Sequence, residues 1–207
     1  IIIYLWAGGI RAIALTDVFY GLLIFFTMLA SGFILIEKTG GVHKTFAYIA
    51  ENNPDDLILG PGFSENSLWV WMCMFLVIPL GALMGPPMWI RAFSTKEEKI
   101  FKVMPLLLVA ATIMYLGPLL AAAAASVLYP DLEHTDKLMP YLLMNHVPII
   151  ASTIILCGIA AAALSTANSQ IHALAALYTV DIHKRYLRKE IPERQLVSIC
   201  KRAIVIL

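Results

Sequence analysis

Charge is scarce in this chain: of 207 residues, only 14% are Asp, Glu, Lys or Arg, while 60% are apolar by the AVILMFWYC count. A mean hydropathy of +0.80 lies far above what a soluble domain carries, which excludes a water-soluble globule. Cysteine is scarce too. Cys73, Cys157 and Cys200 have no CxxC spacing and no near neighbour in sequence, which argues against a disulfide framework or a zinc knuckle. HExxH, a carboxylate-rich metal cluster and a nucleophile elbow are all missing, so an embedded enzyme has little support. With a net charge of +1 and no basic stripe interleaved with aromatics, nucleic acid is not an expected partner. No polar–apolar alternation runs over about ten residues, which excludes an outer-membrane barrel. There is no starting Met and no signal peptide, and the apolar ends IIIYLWAGG and AIVIL read as cuts inside two helices. The expectation is a fragment of a longer chain.

What the sequence does have is long uncharged runs, at 18–36, 66–90, 103–130 and 138–180. Each is long enough to cross a hydrocarbon core of about 30 Å as a helix. Pro140 and Pro148 interrupt the last run, predicting a short external helix over Leu138–Val147 ahead of the span. Four complete crossings are expected, at about 12–36, 67–90, 103–129 and 148–180, in a single all-α transmembrane domain covering 1–207. If residue 11 and segments 91–102 and 181–202 are cytoplasmic, twelve of the fifteen Lys and Arg residues fall inside, as the positive-inside rule requires. Segments 37–65 and 131–147 are then external. The first of these, rich in Gly, Pro, Asn and Asp, reads as an irregular or partly helical loop. The alanine runs Ala121–Ala125 and Ala160–Ala163 suit close approach of helices.

Three features carry chemistry. The second span contains IPLGALMGPPMW, with Pro79, Gly81, Gly85, Pro86 and Pro87 close together. Prolines remove amide donors and crowd the carbonyl a turn earlier, which predicts a discontinuous helix between Pro79 and Pro87, the alternative being a simple kink. The last span contains ALSTANSQIHAL. Its Ser165, Asn168 and Ser169 stand at i, i+3 and i+4 on one helical face. Such oxygens suit a small dehydrated cation, and equally suit hydrogen bonds between helices. Asp17 is an acidic residue at or just inside the end of the first span. It either faces a cavity, cation or partner, or is solvated at the interface and paired with Arg11. His172 reads as a buried hydrogen-bonding residue.

These residues together resemble the sodium:solute symporter family, whose relatives carry sugars, proline, pantothenate, monocarboxylates and sialic acid. GGIRAIALTDV is similar to the loop into that family's fifth core helix, and IRAFSTKEEK to the basic loop after the sixth. GPLLAAAAASVLYPDL is similar to the seventh, and ALSTANSQIHALAALYTVDIHKRY to the eighth and its following loop. The resemblance implies a LeuT-type fold of two inverted five-helix repeats, of which this chain supplies the end of the fourth core helix, the fifth to eighth, and the start of the ninth. It also implies a main sodium site using the backbone oxygen of Ala162 and the hydroxyls of Ser165 and Thr166. A second cation site, found in some relatives, maps to Asp17 with Ser165, Asn168 and Ser169, Asn168 standing where those relatives have a serine. Sodium is the coupling ion, with no further cofactor. The partners are membrane lipid, a small-molecule substrate and the remainder of the same transporter chain.

The aromatic pair with which sugar-carrying relatives gate their substrate falls on Gly81 and Ala82, and their sugar-contacting lysine falls near Thr112. A polyol needs several fixed donors and acceptors, so a small organic acid or similar metabolite is expected in preference to a sugar. Its path is expected along Gly81, Ala82, Gly85, Pro86 and Thr112. The spans hold no Lys or Arg for a carboxylate, leaving helix N-termini at the break to do that work. The alternative function is a transporter-like sensor fused to a signalling domain, which downstream sequence would distinguish.

Overall fold

In hydrocarbon, a backbone can satisfy its amides within one segment only as a helix, and the long apolar runs of this chain do so. The computed structural model describes residues 1–57, 67–130, 137–188 and 190–206. The expected external segments at 58–65 and 131–136 lie outside the described residues. In chain order the elements are α1 (Ile2–Lys38), α2 (Val42–Asn52), a 3-10 turn (Pro54–Leu57), α3 (Ser67–Met84), α4 (Pro86–Phe93) and α5 (Lys99–Thr112). A 3-10 turn (Ile113–Tyr115) leads into α6 (Leu116–Leu128), followed by α7 (Leu138–His146) and α8 (Ile149–Leu177). A π-helical stretch (Tyr178–Leu187) extends α8, and α9 (Glu193–Ile206) comes last. No strand occurs among the described residues.

Three helical runs, Ile2–Lys38, Lys99–Leu128 and Ile149–Leu187, are long and apolar enough to cross a membrane. The pair Trp69–Met84 and Pro86–Phe93, bent by 50°, makes a fourth if it counts as one span. Each overlaps one of the expected crossings. Two runs extend further than expected. α1 starts at Ile2 rather than near residue 12 and is interrupted only at Gly9, whose φ of 56° and ψ of −142° are open to glycine and costly for other residues. Arg11 is therefore helical. At the other end, the helix beyond Val180 widens into π turns instead of ending, as the Arg188 amide bonding to the His183 carbonyl at 3.0 Å shows.

The prolines act unequally. Pro79 lies inside α3 and Pro105 inside α5, each costing its helix one hydrogen bond. Pro118 lacks an amide proton and crowds the Met114 carbonyl, which accounts for the tightening into 3-10 geometry just before it. Pro148 separates α7 from α8. There the Ser152 hydroxyl takes up carbonyls left at the end of α7, donating to Leu143 O at 2.7 Å with Val147 O at 3.1 Å.

The chain divides into two compact units. One comprises Leu22–Pro79 and Glu98–Ala160, with a core of Leu35, Ile36, Ala121, Ala124, Ala125, Leu142, Leu143, Val147 and Ile155. Ala121, Ala124 and Ala125 of the first alanine run are buried in it with Leu35 and Ile36 of α1, and α1 and α6 come into backbone contact at Gly117, outside that run. The other comprises Ile1–Gly21, Leu80–Glu97 and Ala161–Leu207. Its core is Leu5, Ile13, Ala175, Ala203 and Ile204, and Lys201 lies 4.9 Å from the Trp6 ring centroid, a cation–π contact. All three cysteines are free.

Candidate functional site

A carboxylate on an apolar helix needs a partner, because desolvation penalises its charge. Asp17, on α1, has two. The Ser165 hydroxyl donates to Asp17 Oδ1 at 2.7 Å. Arg91 Nη2 donates to Asp17 Oδ2 at 2.6 Å and, with the same nitrogen, to the Ser169 hydroxyl oxygen. The Ser169 hydroxyl in turn donates to the Ser165 carbonyl at 3.0 Å. All four residues belong to the unit just described. α8 presents Ser165 and Ser169 one turn apart on one face, and Arg91 comes from the last turn of α4.

Of the two alternatives for Asp17, pairing with Arg11 is not what the structure shows; the carboxylate pairs with Arg91. Six helical residues rotate the chain by about 240° net, so Arg11 and Asp17 lie on different faces of α1. Arg91 was missed in the sequence reading because it is the first basic residue of an expected loop. The available signal was its place directly after a broken apolar span. Side-chain exposure is 20% for Asp17 and 51% for Arg91, so the carboxylate is mostly covered while the guanidinium still reaches water.

Of the residues assigned to the second cation site, Asp17, Ser165 and Ser169 are brought together. Asn168 is fully buried, and neither its Oδ1 nor its Nδ2 has a hydrogen-bond partner among the described residues. Of the main site, Thr166 is exposed and its hydroxyl donates to the Ala162 carbonyl at 3.1 Å, so those two oxygens are adjacent along one turn. Ser165 is the member shared with the Asp17 cluster. His172, expected to hydrogen-bond, instead has its buried Nδ1 without a partner.

The Asp17 carboxylate and the Ser165 and Ser169 hydroxyls are oxygen donors of the kind a hard monovalent cation takes. Arg91 and Ser169, with Ile13, Pro87 and His172, also line a cavity of about 20 Å³, about the room one small occupant needs.

The expected helix break is narrower than the Pro79–Pro87 interval. Gly81 and Ala82 are helical and exposed in α3, and Gly85 alone is extended, with φ −64° and ψ 133°. A residue before proline is pushed from helical to extended backbone, and Pro86 and Pro87 remove two successive donors, whereas Pro79 removes one. Pro86 is the first residue of α4. Thr112 lies in the other unit, where its hydroxyl donates to the Val109 carbonyl at 2.6 Å.

A family model described as the sodium:solute symporter family matches residues 1–207. Among curated relatives, a sodium/pantothenate symporter of Haemophilus influenzae is 26% identical over 87% of this chain and 38% of its own length. A sodium/sialic acid symporter of Proteus mirabilis is 24% identical over 99% of this chain and 44% of its own length. An osmoregulated proline transporter of Bacillus subtilis is 25% identical over 100% of this chain and 42% of its own length. The chain thus spans less than half the length of these relatives. No solved structure matches.

Proposed function

Because the chain belongs to the sodium:solute symporter family, a family of LeuT-fold membrane transporters and not of enzymes, we propose that it is the central part of a symporter that couples sodium to the uptake of a small solute. The observation that carries this reading is the Asp17 cluster: an acidic side chain on one apolar helix joined directly to Ser165 on another and, through Arg91, to Ser169. A carboxylate flanked by hydroxyls replaces the water a cation sheds on entering the membrane, and one supplied by two helices lets the ion favour one arrangement of them over another. Ala162, Ser165 and Thr166 form the main sodium site, and Asp17, Ser165, Asn168 and Ser169 the second. In the full-length transporter, Ser165→Ala and Thr166→Ala are each expected to raise the sodium concentration for half-maximal uptake about tenfold. Unchanged sodium dependence in both variants, at normal expression, would remove the sodium sites. Uptake driven equally well by a proton gradient without sodium would reassign the coupling ion.

The solute we assign is a small organic acid. The relatives named for pantothenate, sialic acid and proline move solutes that all carry a carboxylate. Gly81, Ala82, Gly85 and Pro86 line the path. Thr112 is included by the family resemblance alone.

For orientation, we place residue 11 and segments 91–102 and 181–202 in the cytoplasm, and 37–65 and 131–147 outside. The Asp17–Arg91 pair supports this by joining the cytoplasmic end of the first span to the start of segment 91–102. Single cysteines at Asn53 and Arg188, in a background without Cys73, Cys157 and Cys200, are expected to react with an impermeant maleimide from outside and only after permeabilisation, respectively. The reverse pattern would invert the topology.

A further inference from the structure

The cluster around Asp17 already holds a positive charge, and that charge belongs to the protein. One nitrogen of Arg91 bonds to Asp17 Oδ2 and to the Ser169 hydroxyl at once. These are two of the oxygens that a bound cation would need, and the guanidinium already draws on their lone pairs and supplies the charge they would otherwise lend to an ion. Two like charges side by side also repel. We propose that Arg91 is a tethered cation that occupies the Asp17–Ser169 site between transport steps, and that it swings away with α4 about Gly85 when the coupling ion binds. This rests on the sodium reading given above.

The local structure suits such an arm. α4 has only eight residues and none of them is buried, so few contacts resist its movement. The joint at its start is held by the Gly85 amide on the Ala82 carbonyl at 3.3 Å and the Met88 amide on the Gly85 carbonyl at 3.0 Å, while Pro86 and Pro87 have no amide proton to add. Arg91 is half exposed, so its guanidinium has water to move into. The exchange is a competition between two cations. Competition sets the ion's apparent affinity: a site free of its arm a tenth of the time binds about tenfold more weakly than a free one.

The test uses the purified full-length transporter with a single reactive cysteine at Phe93, the exposed last residue of α4. Its alkylation rate is followed against sodium concentration, without substrate. In the otherwise unchanged protein, sodium should alter the rate. With Arg91→Gln the midpoint should fall about tenfold and the sodium-free rate should approach the sodium-bound one. Arg91→Lys keeps the charge but loses the fork geometry. It should fall between the two, and it decides the question if Arg91→Gln does not fold. A midpoint that is unchanged or raised in the folded variants would overturn the tethered cation while leaving the sodium site standing. No response to sodium in the unchanged arm would likewise overturn the tethered cation, and equilibrium sodium binding to the same preparation then decides whether the sodium reading stands.

Discussion

In the full-length transporter, Asp17→Asn is expected to reduce sodium-dependent uptake about a hundredfold while leaving expression and folding near normal. Asparagine has the same shape and can still accept the Ser165 hydroxyl hydrogen bond made to Asp17 Oδ1, so the contact between α1 and α8 survives. What it removes is the one negative charge of the cluster, and with it the group that compensates a cation for its lost water. Arg91 loses its anion as well. Since half of that side chain is exposed, the guanidinium turns to solvent, and the loss to stability is small because a screened pair contributes little. Uptake and thermal unfolding, measured on the same preparation, separate the two effects. Normal uptake would show Asp17 to be only a structural partner of Arg91.

The largest effect on stability is expected at Gly117. A Cβ there would fall on the backbone carbonyl of Met28, and the α1 glycine Gly32 has the Gly117 backbone directly against it. A flexible side chain can give way, but a helical backbone cannot without separating α1 from α6. Gly117→Leu should therefore yield no folded protein by gel filtration in detergent, and Gly117→Ala should lower the melting temperature by about 5 °C or more. Gly21→Ala on the same α1 helix is the control, because nothing lies within 4 Å of its Cβ position. It should be neutral or slightly stabilising, as alanine favours helix over glycine. Equal melting temperatures for the two alanine variants would show that the close approach at Gly117 does not hold the unit together.

The spans were legible in the sequence because an apolar run of sufficient length has few alternatives in a membrane. α7 was legible as a separate element because Pro148 interrupts the run before α8, and the pairing of Ser165 with Ser169 because four residues make about one helical turn. The partner of Asp17 was not. Arg91 lies 74 residues away along the chain, and no local periodicity reports a contact that depends on how α1, α4 and α8 pack. The break was placed too broadly because counting prolines treats each alike. A lone Pro79 costs α3 one bond, while Gly85 ahead of two prolines loses both its helical backbone and the donors that follow. The π turns after Tyr178 were invisible because the residues that adopt them, YTVDIHKRYL, carry no composition that separates them from an ordinary helix end.

The reading of Asp17, Ser165 and Ser169 as a coupling-ion site is tested most directly by equilibrium binding of radioactive sodium to the purified full-length transporter, without substrate or membrane gradient. Compared with the unchanged protein, Asp17→Asn should lose one bound ion per chain at saturation, with the main site still titrating. An unaltered stoichiometry and affinity in the folded Asp17→Asn protein would contradict the account.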